Sequence, residues 1–260
     1  MVVNLYRQSY YSYKALFNWL TLPSYIANVL LAPAIYVVIY AMAGRFARDQ
    51  EQALRFMIGM SATGMPQLLM GGVLQNFANE RSLGTLSFIL ASRVNRLANF
   101  LARGVFHLPN ALLTVFASMF AAVIVLDADF GGANWPAVVS CYVLIAFSGT
   151  AFGLCLGNIA MALREWTLLY SLANTFFFSL TGAVIPRQTL PQPLYALSEG
   201  LPVSHALDGM RQAYDGAGFS SIGGELAAEA LVAVVYAVVG YALFRAVEVY
   251  ARRTGAYEAA

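Results

Sequence analysis

Charge is what this chain has least of. Asp, Glu, Lys and Arg make up 11% of its 260 residues, where a soluble domain carries about 25%. Lysine is all but missing, with Lys14 alone in the chain. A phosphate-cradling P-loop needs a lysine directly after a glycine-rich turn, and no such turn surrounds Lys14. The chain is therefore expected to carry no nucleotide-binding domain. Histidine occurs only as His107 and His205, which argues against a histidine metal cluster, and no metal site is expected. Cysteine occurs only as Cys141 and Cys155, inside one apolar segment. Their separation on a helix is about 21 Å, so they cannot bridge each other within one chain and read as small buried hydrophobes. Residues 1–22 lack the apolar core and small-residue cleavage site of a secretory signal, and none is expected. No Ser–His–Asp order, HExxH or catalytic carboxylate pair is present, so no covalent chemistry is expected of this chain. A net charge of +2 with scattered basic residues leaves no footprint for nucleic acid.

What the chain has instead is apolar length. Hydrophobic residues make up 60% of it, and the mean hydropathy is +0.65. This composition predicts an all-α membrane protein, with residues 1–260 forming a single transmembrane domain. Residues 4–20 are too polar to span. Tyr6, Tyr10, Tyr13, Phe17 and Leu20 recur on one helical side, opposite Asn4, Arg7, Lys14 and Asn18, which predicts an amphipathic helix at the headgroup boundary. Six spans are expected within 24–249, at 24–43, 54–77, 103–126, 135–163, 166–185 and 227–249, followed by a tail at 250–260. Pro33 falls inside the first span, where packed neighbours must satisfy the backbone partner it leaves free. His107 and Pro109 open the third span and predict a helix kink or a backbone hydrogen bond. Gly149, Gly153 and Gly157 recur on one face of the fourth, at the spacing that lets helices approach closely. Packing within the bundle is the expected use of that face, and a dimer seam is the alternative.

The basic residues set the orientation. With the N-terminus inside, Arg7, Lys14, Arg81, Arg93, Arg96, Arg103, Arg164, Arg245, Arg252 and Arg253 are cytoplasmic, against Arg45, Arg48, Arg55, Arg187 and Arg211 outside. Both termini are expected in the cytoplasm.

Two connections stand apart from the others. Residues 79–92 read N-E-R-S-L-G-T-L-S-F-I-L-A-S: an acid–base pair, a small centre, then an apolar run. A span takes about 20 residues, so this stretch is expected to lie along the cytoplasmic surface as a short helix. Residues 186–224 are broken by Pro186, Pro191, Pro193 and Pro202. Two helical pieces remain, 193–198 and 204–214, with Ser204 as the expected N-cap. Too short to span and too apolar for a free loop, this segment predicts a re-entrant or interfacial helical hairpin. His205, Asp208 and Arg211 lie three residues apart along its second helix. Hydrogen-bonded support of the hairpin is their expected role, ahead of a proton relay.

Glu80, Arg81, Gly84, Thr85 and Leu86 form the pattern E-R-x-x-G-T-L. Thr181, Gly182, Pro186, Leu190, Pro191, Leu201, Pro202, Ser204, Met210 and Arg211 follow as T-G-x-x-x-P, L-P and L-P-x-S-x-x-x-x-x-M-R. Together these resemble the ABC-2-type exporter permeases, although Ser87 stands where that family usually has Glu. The resemblance implies that 79–92 is a coupling helix docking into a separate ABC ATPase subunit, with Glu80, Arg81, Ser82, Leu83, Gly84, Thr85 and Leu86 at the contact. ATP and Mg would belong to that subunit, and no cofactor to this chain. It further implies two permease subunits, identical or homologous, in a bacterial cytoplasmic membrane, and an N-terminal interfacial helix. Pro186, Pro191, Pro202, His205, Asp208 and Arg211 would belong to an outer gate.

Arg164 and Glu165 form the turn between spans four and five, read either as a second ATPase contact or as a solvated turn. Spans poor in ionisable residues argue against an ion-coupled carrier and for energy supplied from outside the membrane. The expected cargo is a hydrophobic or amphipathic compound such as a drug, antibiotic or lipid-like molecule. A polysaccharide or lipid-linked glycan is the alternative, and a carrier or scaffold without ATP coupling is the alternative of another class. Met60, Met65, Met70, Phe176, Phe177 and Phe178 either line a pathway or form core and lipid-facing surface.

Overall fold

The computed structural model describes residues 21–47, 50–82, 107–162 and 166–254, and no strand occurs among them. The expected helix at 4–20, the loop residues Leu83, Gly84, Thr85 and Leu86, and the Arg164–Glu165 turn lie outside the described residues.

The first span is interrupted at a point the sequence explains. Helix α1 (Leu22–Ile26) widens into a π-helical stretch, Ala27–Leu31, before α2 (Ala32–Ala47) resumes. Pro33 cannot donate to the carbonyl four residues back, that of Val29. Thr114 of α4 (His107–Leu126) brings a donor to that carbonyl: its hydroxyl lies 3.1 Å from the Val29 oxygen and 3.0 Å from that of Asn110 in its own helix, so one proton is shared between the two. Beside it, the Tyr25 hydroxyl donates to Asn110 Oδ1 at 2.6 Å. His107 opens α4, and its ring occupies the space left by Gly72, where an added Cβ would stand 2.5 Å away.

Helix α3 (Gln50–Ser82) is the buried axis of the bundle, packed by α2, α4 and α5 (Trp135–Ala162). It runs past position 77, so Glu80, Arg81 and Ser82 continue its backbone. Leu22–Phe46, His107–Leu126, Trp135–Met161 and Phe219–Tyr250 are long and apolar enough to cross a membrane among the described residues. Of the other two expected spans, α3 lacks the apolarity. Its Ser61, Thr63 and Asn76 are buried among neighbours rather than facing lipid, and a helix sheathed by other helices needs no apolar surface. The other, α6 (Trp166–Leu180), is shorter than expected because Gly182 turns the chain with φ 87°. That conformation suits glycine and ends helices.

The glycine face of α5 is used within the bundle. Added Cβ atoms on Gly149, Gly153 and Gly157 would meet Pro66, Met70 and Phe77 of α3 at 2.6, 2.8 and 2.7 Å. Cys141 and Cys155 are both free and buried. The last helix, α9 (Phe219–Thr254), begins earlier than the expected 227. Gly223 and Gly224 lie inside it without breaking it, which shortens the outer connection.

Candidate functional site

The connection from α6 to α9 gathers buried charge. After the turn at Gly182 come a 3-10 turn at Arg187–Thr189, α7 (Gln192–Glu199) and α8 (Ser204–Tyr214). The prolines punctuate it: Pro186 and Pro191 precede the 3-10 turn and α7, and Pro202 lies between α7 and α8. The two helical pieces fall close to where the proline pattern places them.

Asp208 joins the base of this hairpin. Arg187, only 4% exposed, donates to Asp208 Oδ2 through Nε at 3.0 Å and through Nη2. Arg211 approaches Asp208 Oδ1 at 3.7 Å and donates through Nη2 to the Gly182 carbonyl at 2.6 Å. The carboxylate thus sits between two guanidiniums and ties α8 to the 3-10 turn, while Arg211 ties α8 to the turn after α6. Burial pulls the Arg211 guanidinium below its ordinary value, and the Asp208 charge opposes that. The Arg187 guanidinium also stands over the Tyr195 ring at 5.9 Å.

His205 points elsewhere from the same helix. Its Nδ1 lies 3.0 Å from Glu225 of α9, and its Nε2 lies 3.1 Å from the Glu199 carbonyl that ends α7. The Tyr236 hydroxyl of α9 donates to the Gly200 carbonyl at 3.0 Å.

Ser204 is not the N-cap. Val203 holds that position with φ 79°, and among the described residues Ser204 Oγ has no hydrogen-bond partner. The cap comes from another helix: Glu229 of α9, fully buried, accepts from the Val203 and Ala206 N–H groups at 2.8 and 3.2 Å. Backbone donors at a helix start need such an acceptor, and a carboxylate also suits the positive end of the helix dipole. The other end of α8 is held by the Asn134 N–H, which donates to the Ala213 carbonyl at 2.8 Å. Tyr214 packs there on Phe130 and Trp135, at 5.4 and 6.2 Å between ring centres.

Sequence reasoning assigned no role to Arg187 or Glu229. Arg187 closes the apolar run V-I-P-R and Glu229 sits within A-A-E-A-L, four residues after Glu225, and a charge in such a place needs a partner. The methionines proposed for a pathway, Met60, Met65 and Met70, are buried in the core. Phe177 is buried against Phe152, while Phe176 is exposed. An apolar groove of about 960 Å³ lies between α4, α5 and α9, with Met65 on its wall and Phe116, Tyr142, Phe147, Val234 and Tyr241 along it.

Helix α3 connects this hairpin to the start of the 79–92 stretch. Its start carries Arg55, paired with Glu51 one turn earlier at 2.9 Å. Gly59 faces the Ala183 backbone so tightly that a Cβ would stand 2.1 Å from that carbonyl oxygen. The same helix ends at Glu80, Arg81 and Ser82, about 38 Å from Arg55 along a continuous axis.

Residues 5–214 match the family model described as ABC-2 type transporter. Nodulation protein J of Sinorhizobium fredii (strain NBRC 101917 / NGR234) is 33% identical over 96 residues, covering 35% of this chain and 36% of that protein. The match thus spans about a third of that relative's length. Capsule polysaccharide export inner-membrane protein CtrC of Neisseria meningitidis serogroup A / serotype 4A (strain DSM 15465 / Z2491) is 21% identical over 192 residues, covering 72% of this chain and 71% of that protein.

Proposed function

This chain belongs to the ABC-2 type transporter family, and we propose that it is the permease subunit of an ATP-driven exporter in a bacterial cytoplasmic membrane. In this reading α1–α2, α3, α4, α5, α6 and α9 are six spans, both termini are cytoplasmic, and two permease subunits form the pathway. A separate ATPase, holding ATP and Mg, docks on Glu80–Leu86. Arg164 and Glu165 offer it a second contact.

The observation that carries this reading is α3. One helix has its outer end jammed against the Ala183 turn and its other end at Glu80 and Arg81. A displacement imposed at the docking loop reaches the base of the outer hairpin through this one helix, whose interior Pro66 is the point where it can bend. Pro186, Pro191, Pro202, His205, Asp208 and Arg211 belong to the gate at that end. The depth of the hairpin supports a re-entrant placement: Gly200 meets Tyr236, about 25 Å along α9 from its start. ATP closure shifts the gate only through contacts that differ between two permease states.

The apolar groove supports a cargo with a hydrophobic part, such as a drug, antibiotic or lipid-like molecule. The likeness to a capsule polysaccharide export protein favours the second reading, a polysaccharide or lipid-linked glycan. Deleting the gene separates them: loss of a surface glycan supports the second, and sensitivity to hydrophobic drugs supports the first.

The assembly is tested by purifying the tagged chain from native membranes. An ATPase should co-purify, and Glu80→Ala or a bulky residue at Gly84 should reduce both its retention and its hydrolysis rate. Purification without any ATPase would favour a carrier or scaffold. Wild-type retention and hydrolysis in both variants would reduce the loop to a connector.

A further inference from the structure

One face of α9 engages the hairpin along most of its length. Glu225, Glu229 and Tyr236 recur at helical spacing and reach His205, the start of α8 and the Gly200 carbonyl in turn. Glu229 is the central member and the most enclosed. Two further features set it apart. It satisfies two backbone donors of another element with one carboxyl group, and one of those donors belongs to Val203. A β-branched residue is rarely found at positive φ, and such a conformation persists where its surroundings over-determine it. Here the surroundings are the Glu229 bond on the Val203 N–H and the burial of the Val203 side chain.

We propose that Glu229 is a positioning residue: through the Val203 and Ala206 N–H groups it clasps the start of α8 to α9, so that hairpin and last span move as one body. The clasp deepens the exporter reading above, because it identifies what the gate travels with. The hairpin does not swing open on its own. It is carried by α9, while Asp208 binds its own 3-10 turn through Arg187 and Arg211 holds its other side to the Gly182 turn after α6. Among the described residues, Glu229 is the one that restrains the turn between α7 and α8 by a side-chain carboxyl group on main-chain donors. The His205–Glu225 bond is more exposed and lies further along α8.

The clasp is testable in the full chain in native membranes. Ser204→Cys places a near-isosteric thiol at a fully buried position beside the clasp. Its reaction with N-ethylmaleimide is followed by mass spectrometry, with buried Cys155 of the same molecule as an internal measure of fold. In the parent background the introduced thiol should react slowly. Glu229→Ala should speed its labelling by roughly tenfold or more, as expected when hydrogen bonds to a charged group that oppose local opening are lost. Glu229→Gln retains one acceptor oxygen but sets an amide N–H₂ against the second donor, so it should give an intermediate rate. If Glu229→Ala fails to insert, Glu229→Gln decides. Glu225→Gln should leave the rate within about twofold, because it keeps an acceptor oxygen for His205 and touches neither Val203 nor Ala206.

Faster labelling at position 204 with Cys155 still protected establishes the clasp. No change at position 204 overturns it. Equal acceleration at Cys155 also overturns it, since Glu229 would then support the fold as a whole. An effect of Glu225→Gln as large as that of Glu229→Ala overturns it as well. If the labelling supports the clasp while ATP-dependent export is unaltered by its release, the clasp stands and the gating role proposed above falls.

Discussion

Gly153 of α5 lies against the main chain of Met70 of α3, so that a Cβ on Gly153 would stand 2.8 Å from the Met70 Cα. The obstacle is backbone, and no change of rotamer clears it. Gly153→Leu should therefore force the two helices apart at a cost of about 1–3 kcal/mol. The expected readout is a lower unfolding midpoint in detergent with an unchanged oligomeric state. Gly223→Ala is the control. It sits in helix α9 with nothing within 4 Å of an added Cβ, and replacing a helical glycine by alanine should stabilise by about 0.5–1 kcal/mol. A dimer that dissociates on Gly153→Leu would mean that this face serves a subunit seam.

In the Arg187–Asp208 pair the guanidinium is buried and the carboxylate partly buried. Asp208→Asn leaves the Arg187 guanidinium without its counter-charge, and breaking a buried pair in this way typically costs about 3–5 kcal/mol. The double replacement Arg187→Met with Asp208→Asn should cost less than Asp208→Asn alone, because Arg187 is then no longer an orphaned charge, while Arg211 keeps its bond to the Gly182 carbonyl in both. Equilibrium unfolding of the four proteins in a double-mutant cycle measures the difference. A double variant at least as unstable as the single one would mean that the pair is valued for more than mutual neutralisation.

Thr114 brings a shared donor to the carbonyl that Pro33 leaves free. Thr114→Val keeps the shape and removes the hydroxyl, leaving the Val29 carbonyl without its inter-helix partner. The expected loss is about 0.5–1.5 kcal/mol, read as a modest fall in unfolding midpoint. Pro33→Ala in the same background should recover it, since the restored N–H can bond Val29 and close the π-helical stretch into ordinary α-helix. Failure of this rescue would separate the π-helical stretch from the proline.

The proposed topology is tested by single cysteines and an impermeant maleimide applied to intact cells. Substitutions at Gly132 and Ser221, both exposed, should label from outside. Substitutions at Ser87 and Tyr257 should label only after the membrane is opened. Outside labelling at Ser87 would reverse the orientation.

The apolar runs, the prolines of the outer hairpin and the glycine spacing of α5 were legible in the sequence, because each is a local property. Apolar length predicts a buried helix, proline ends one, and a small residue every fourth position marks a face of close approach. The motifs at Glu80–Leu86 and at Thr181–Arg211 carried the family, which the match over residues 5–214 establishes.

Tertiary structure alone decided which distant group completes each local deficiency. Ser204 has the chemistry of an N-cap, yet the start of α8 is capped by Glu229, 26 residues from Val203. Pro33 announces a free carbonyl, and the donor that reaches it is Thr114, 85 residues beyond Val29. Helix α3 reads as a span of poor apolarity until its neighbours are seen to sheathe it. In each case propensity states that a backbone or side-chain group needs a partner. Many polar side chains along the chain could serve, and only the packing of helices far apart in sequence brings one of them within bonding distance.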